Sequence, residues 1–126
     1  MGNPHLVLFV DDPAAARVTQ HGSRLEHDER FPKRTNVEFV RVTPGATDEV
    51  DMRVWERGVG ETLSCGTGAC ATAVCAIASK RASSPVRVTM KGGSLTIGWE
   101  PGGEITMRGG ATHVFTGEID LDAFKS

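Results

Sequence analysis

Apolar residues recur along this chain in three rhythms. Strict alternation over residues 35–43 and again over 50–57, with Pro44-Gly45 between them, predicts two half-buried strands paired as a hairpin. The same period returns over 86–90, 94–100 and 104–108, joined by turns at Gly92-Gly93 and Pro101-Gly102-Gly103, and 114–121 reads as a last strand. A continuous apolar run over 5–10 opens the chain as a strand. Asp11-Asp12-Pro13 then supplies a cap and a proline suited to a helix start, which predicts a short helix over 13–20. His21-Gly22-Ser23 is expected to break it before a second short polar helix over 23–29. Residues 31–33 and 58–64 read as loops.

The third rhythm is no rhythm. Residues 66–79, Gly-Thr-Gly-Ala-Cys-Ala-Thr-Ala-Val-Cys-Ala-Ile-Ala-Ser, carry no charge and almost no large side chain. A helix with no polar face must be buried all round, and its small residues let other backbone come close. Strands precede and follow it, so the simplest packing curls an antiparallel β-sheet around one central buried helix. The expected class is α/β of the α+β kind. There is no repeat, low-complexity stretch or linker, so residues 1–126 read as a single domain.

Composition narrows the function. With 14 Lys+Arg against 16 Asp+Glu the net charge is −2, which leaves no electrostatic footprint for nucleic acid or anionic lipid. No apolar run approaches the ~18 residues of a membrane span. Three cysteines, odd in number and clustered, argue against a secreted disulfide framework and for a reducing compartment, expected to be the cytoplasm. Fifteen glycines imply many turns or close backbone approaches. A strand that begins at residue 5 is expected where a chain has been cut at an internal boundary.

The chemistry concentrates at Cys65, where a loop becomes the buried helix. A helix start carries unpaired N–H donors and partial positive charge, which favours thiolate. Gly66 and Gly68 keep side chains off the first turn, so the N–H groups there, with that of Thr67, are open to a carboxylate. Glu56 and Arg57 end the preceding strand within reach of the same place. Against this stands a bland reading in which Cys65 is a buried structural cysteine. Cys65, Cys70 and Cys75 recur at steps of five, which do not align on one helix face, so no metal site is expected. Cys70 and Cys75 read as inert core. Among the histidines, His5 heads a strand and would serve as base partner if near a thiol. His21 and His27 read as solvated, and His113 has no evident partner. Asn3 and Asn36 stand at strand ends, where asparagine commonly satisfies turn backbone.

Three stretches carry a resemblance: Met1-Gly2-Asn3-Pro4-His5, Thr35-Asn36-Val37-Glu38-Phe39-Val40, and the run from Glu56-Arg57-Gly58 to Ser64-Cys65-Gly66-Thr67-Gly68-Ala69-Cys70-Ala71. Together with Arg108-Gly109-Gly110-Ala111 and Val114 to Ile119, they resemble the diaminopimelate epimerases in order along nearly the whole chain. Ser64 and Thr67 depart from the Ala and Ser common in that family. The resemblance implies one half of a two-domain, pseudo-symmetric fold, here the carboxyl-terminal half without its amino-terminal partner. It implies a cofactor-independent enzyme, with no metal, that interconverts LL- and meso-diaminopimelate through two cysteines, and a homodimer when complete. Cys65 would be one of the two. Asn3, Asn36 and Arg57 would bind the distal part of the substrate, Glu56 and His5 would tune the thiols or contact substrate, and Gly66 and Thr67 would offer N–H groups to the reacting carboxylate. Inversion needs an acid and a base on opposite faces of the carbon, so the fragment alone is expected to be inactive. Two other readings stay open. One is a related racemase, such as one acting on proline. The other is a thiol hydrolase built on Cys65 and His5, which needs a third, orienting residue that the sequence does not disclose.

Overall fold

A computed structural model of the chain describes residues 2–124. Seven strands form one sheet. β1 (His5–Phe9) runs parallel to β2 (Asn36–Val42), and β2 runs antiparallel to β3 (Glu49–Glu56). The far edge of β3 is shared by β4 (Gly60–Thr62), antiparallel at one end, and β5 (Val86–Met90), parallel at the other. β6 (Gly93–Gly98) and β7 (Thr106–Arg108) follow antiparallel.

The sheet is therefore mixed, where a purely antiparallel one was expected. The helices are the cause. A strand that returns through a helical crossover comes back in its original direction. α1 (Val18–Glu26) crosses between β1 and β2, and α2 (Gly66–Ala78) crosses between the β3–β4 hairpin and β5.

Four other expectations are corrected. Asp12 caps only a single 3-10 turn, Pro13–Ala15, through a bond from the Ala14 N–H at 3.0 Å. α1 then runs straight through His21-Gly22-Ser23. Gly22 is there for packing, since a Cβ at this position would lie 2.6 Å from Cβ and Cγ of Trp55; its bare Cα lets the helix rest on that indole. The 58–64 loop contains β4, three residues long and too short to show a period. Residues 114–121 form no strand: the chain leaves the sheet at Gly109-Gly110 and does not return to either open edge, β1 or β7. Val114, Phe115, Ile119 and Leu121 stay exposed, and a 3-10 turn (Leu121–Phe124) follows.

Pleat parity sorts the sheet into two faces. Val40, Val50, Met52, Val54, Val86, Val88 and Ile97 meet Ala69, Ala73 and Ala76 of α2. On the other face Val37 and Phe39, with Leu6, Leu8 and Trp55, meet Val18 and Leu25 of α1. α2 is buried on all sides only over residues 68–73, and its last turn emerges. Val7 and Phe9 pack on the α2 face. By the same parity His5 of β1, Glu38 of β2 and Glu56 of β3 share that face. Register sets them close together, with His5 opposite Asn36 and Glu38 opposite Val54.

Candidate active site at the start of helix α2

Cys65 is the N-cap of α2, extended at φ −150° and ψ 110°. Its Sγ accepts from the Gly68 N–H at 3.3 Å, the bond a serine or aspartate oxygen makes in an ordinary cap. The N–H groups of Gly66 and Thr67 have no acceptor inside the helix and face outward at its positive end. Thr67 Oγ1 lies 3.6 Å from Sγ and accepts from Asn3 Nδ2 at 3.2 Å, so the lead-in to β1 is tied to the helix start. The Gly92 N–H donates to the Leu63 carbonyl at 2.8 Å, which fixes the loop before the cysteine. A cavity of about 210 Å³ opens beside it, lined in part by Ser64, Gly66, Gly93 and Gly110.

The thiol is not acidified, contrary to expectation. Burial pushes the Cys65 thiol up, and the Glu56 and Glu38 carboxylates push the same way. The Thr67 hydroxyl and Gly68 N–H pull it down without prevailing. A thiol so placed keeps its proton until a base or a substrate changes its surroundings.

Beneath it lies a pair that sequence reasoning missed. His5 Nδ1 and Glu38 Oε1 are 2.6 Å apart, with side chains only 5% and 0% exposed. Burial pushes the Glu38 carboxyl up, the Glu56 carboxylate adds to this, and the bond to His5 opposes it. His5 Nε2 and Glu38 Oε2 are buried without a partner. A Cβ on Gly68 would lie 2.8 Å from Glu38 Oε1 and 3.2 Å from Cys65 Sγ, so the two groups converge on the bare Cα of that glycine. The available signal was parity: Glu38 sits two residues before Val40, on the face that α2 covers.

The remaining candidates surround this centre. Glu56 accepts from the Thr62 hydroxyl across the β3–β4 hairpin. Asn36 engages both ends of its amide with backbone, donating to the Pro4 carbonyl at 3.0 Å and accepting from the Arg57 N–H at 2.8 Å. It thereby joins the lead-in to β1 to the end of β3. The Arg57 guanidinium is at the surface and donates to the Lys33 carbonyl at 3.2 Å. Behind it, on the α1 face, Glu26 is 3% exposed and was also missed. It accepts from Trp55 Nε1 and from the Gly58 N–H, both at 2.9 Å. Burial would raise its carboxyl, but these bonds, with His27 and Arg34 nearby, hold it below the ordinary range.

Cys70 is buried in the core as expected, whereas Cys75 is only half-buried because α2 emerges there. His21 and His27 are exposed, and His113 Nε2 lies 2.8 Å from the Thr116 hydroxyl. Among the described residues no group of three or more His, Cys, Asp or Glu is arranged to hold a metal ion. No described helix is long and apolar enough to cross a membrane.

The family model for diaminopimelate epimerase matches residues 1–114. Curated relatives agree with it. A diaminopimelate epimerase from Rhizorhabdus wittichii is 55% identical over 124 residues, covering 98% of this chain and 44% of the relative. One from Sphingopyxis alaskensis is 49% identical over 98% of this chain and 46% of its own length. One from Synechococcus elongatus is 48% identical over 98% and 43%. The chain thus spans less than half the length of the relatives it matches. With 114 of its residues inside the family model and half of its positions identical to those relatives, the chain belongs to the diaminopimelate epimerase family.

Proposed function

We propose that this chain is the carboxyl-terminal half of a cofactor-independent epimerase that interconverts LL- and meso-2,6-diaminopimelate, and that Cys65 is one of its two reacting thiols. The observation that carries this reading is the Cys65 Sγ at a helix start, beside the outward N–H groups of Gly66 and Thr67. The substrate's α-carboxylate would sit on those N–H groups, which also meet the negative charge that develops when the α-proton leaves. In one direction the thiolate of one cysteine takes the α-proton and the opposed thiol gives a proton to the other face. One C–H bond breaks, another forms, and no electrons are gained or lost. The proton that burial keeps on Cys65 suits the donor role. Cys70 and Cys75 lie farther along the same helix and cannot stand across a substrate from Cys65, so the second thiol would come from the amino-terminal half. Asn3, Asn36 and Arg57 would receive the distal end of the substrate, and Glu56 and His5 would manage the proton at Sγ. The complete enzyme would be a cytoplasmic homodimer in lysine and peptidoglycan-precursor synthesis.

Solvent-deuterium incorporation at the α-carbon of diaminopimelate tests this. The chain joined to its amino-terminal half should exchange and epimerise, and the chain alone should do neither. Turnover by the chain alone at the rate of the joined protein would overturn the two-thiol account.

One observation favours a second reading. Glu38 supplies the orienting carboxylate that a Cys65–His5 hydrolase would need. Stoichiometric acylation of Cys65 by an activated ester, followed by release of the acid, would support it.

A further inference from the structure

We propose that Glu38 is the positioning residue for His5: its carboxylate holds the Nδ1–H, so that Nε2 is left as the free nitrogen of the imidazole on the face of the sheet that α2 covers. The inference rests on the function proposed above, in which His5 handles a proton at the thiol.

Three observations converge. The bond is short, 2.6 Å, and both side chains are more than nine-tenths buried, so the ring has one orientation. The second nitrogen of the ring and the second oxygen of the carboxylate are buried without partners. A purely structural pair would leave neither, because orphaned buried polar atoms are destabilising and an apolar pair fills such a space at less cost. An orphaned ring nitrogen on the α2 face has use for a partner that comes and goes. Finally, Glu38 Oε1 and Cys65 Sγ both lie about 3 Å from the point where a Gly68 Cβ would stand. The carboxylate end of the pair thus lies close to the cysteine. The chemistry follows from the tautomer. A neutral imidazole has one donor and one acceptor nitrogen. With Nδ1–H committed to the carboxylate, Nε2 is the lone-pair nitrogen that takes a proton and, as imidazolium, returns it. Without Glu38 the ring is free to adopt the other tautomer, with its proton on Nε2 and no basic nitrogen at the site. Glu56 on β3, Cys65 at the start of α2 and Cys75 within it are titratable groups that interact with the Glu38 charge or its site.

Long-range proton–nitrogen NMR of His5 in the 126-residue chain, wild type against E38Q and E38L, tests the claim. In the wild type the proton should sit on Nδ1 and resonate far downfield. In E38L it should move to Nε2. In E38Q the amide oxygen still accepts, so the proton should stay on Nδ1 but shift upfield as the bond loses its charge. Wild-type nitrogen and proton shifts in either variant would overturn the proposal, and E38Q, which keeps the shape of the side chain, serves if E38L does not fold. Kinetics of the enzyme completed by its amino-terminal half give the second readout. E38L should lower kcat about 10- to 100-fold, by analogy with the loss typical when the carboxylate partner of a metal-bound histidine is removed, with KM unchanged and E38Q recovering part of the rate. An unchanged kcat in E38L would also overturn it. If the NMR shifts are as expected but the completed wild-type enzyme does not epimerise diaminopimelate, the function proposed above fails and the positioning of the ring stands.

Discussion

Among the described residues two glutamates are buried, one on each face of the sheet, and they are treated in opposite ways. Glu26, on the α1 face, has both oxygens engaged by Trp55 and Gly58, with Arg34 Nη1 3.8 Å away, and its carboxyl is held low. Glu38, on the α2 face, has one oxygen on His5 and the other on nothing, and its carboxyl is pushed up. Folding alone accounts for the first arrangement, since a buried charge with full hydrogen bonding locks α1, β3 and the β3–β4 turn together. It does not account for the second. The α1 face leaves no oxygen of its glutamate unpaired, and the α2 face, beside Cys65, leaves a ring nitrogen and a carboxylate oxygen without partners.

The largest expected effect breaks this contrast most directly. In the enzyme completed by its other half, Cys65→Ala should lower epimerisation by about 10²–10⁴-fold or more, the contribution usual for a positioned acid or base. Cys70→Ala, one and a half turns deeper in the same helix, should leave the rate within a few-fold and lower stability by roughly 1 kcal/mol, as removal of one small buried group does. Deuterium exchange rates and urea melts of both variants check this. Equal loss of rate would mean that the end of α2 is not distinguished from its interior.

How much of this was legible beforehand depends on the range over which each signal acts. Local signals served well. The apolar run over 66–79 announced α2 and its burial, and the cap position of Cys65 followed from Gly66 and Gly68. What failed was long-range. Gly22 looked like a helix breaker because the residue it makes room for, Trp55, is 33 positions away. Alternation over 114–121 described a strand's faces but not whether the chain would come back to an edge of the sheet. Glu26 and Glu38 looked like ordinary polar positions in an amphipathic pattern, and only the packing of α1 and α2 onto opposite faces buried them. The expected acidity of Cys65 rested on the helix start alone and left out burial and two carboxylates contributed by β2 and β3.

Next in size is the removal of Glu26. Glu26→Ala removes the acceptor of two partly buried donors, the Trp55 Nε1–H and the Gly58 N–H, and should cost about 1–3 kcal/mol in urea unfolding while leaving the alkylation rate of Cys65 unchanged. The pH dependences should have opposite signs. Glu26 titrates in the folded chain below its ordinary 4.5, so its stabilisation is present above that pH and lost as pH falls through the folded value. Glu38 titrates above 4.5, so its ionisation costs stability increasingly as pH rises from there through the raised value. Glu26→Gln should therefore flatten the acid limb of the stability curve. Glu38→Gln should gain on the wild type as pH rises. Urea midpoints measured from acid to neutral pH decide this, and parallel curves for the two variants would erase the distinction between the faces.

The smallest effect sharpens the same comparison by separating a low pKa from a buried one. Asp28 is held down to about 2 by the side chain and backbone of Arg30, a larger depression than its surroundings at the surface would suggest. Its partner guanidinium is 72% exposed. The guanidinium stays largely hydrated in the folded chain, the carboxylate, 27% exposed, stays in contact with water, and salt screens what remains. Asp28→Asn should accordingly leave the urea midpoint unresolved from wild type at moderate salt, although it removes a bidentate ion pair. Glu26 and Asp28 share the direction of their shifts and differ in depth. If the two substitutions cost the same, depth is not what makes the α1 face structural, and the contrast with Glu38 loses its reference.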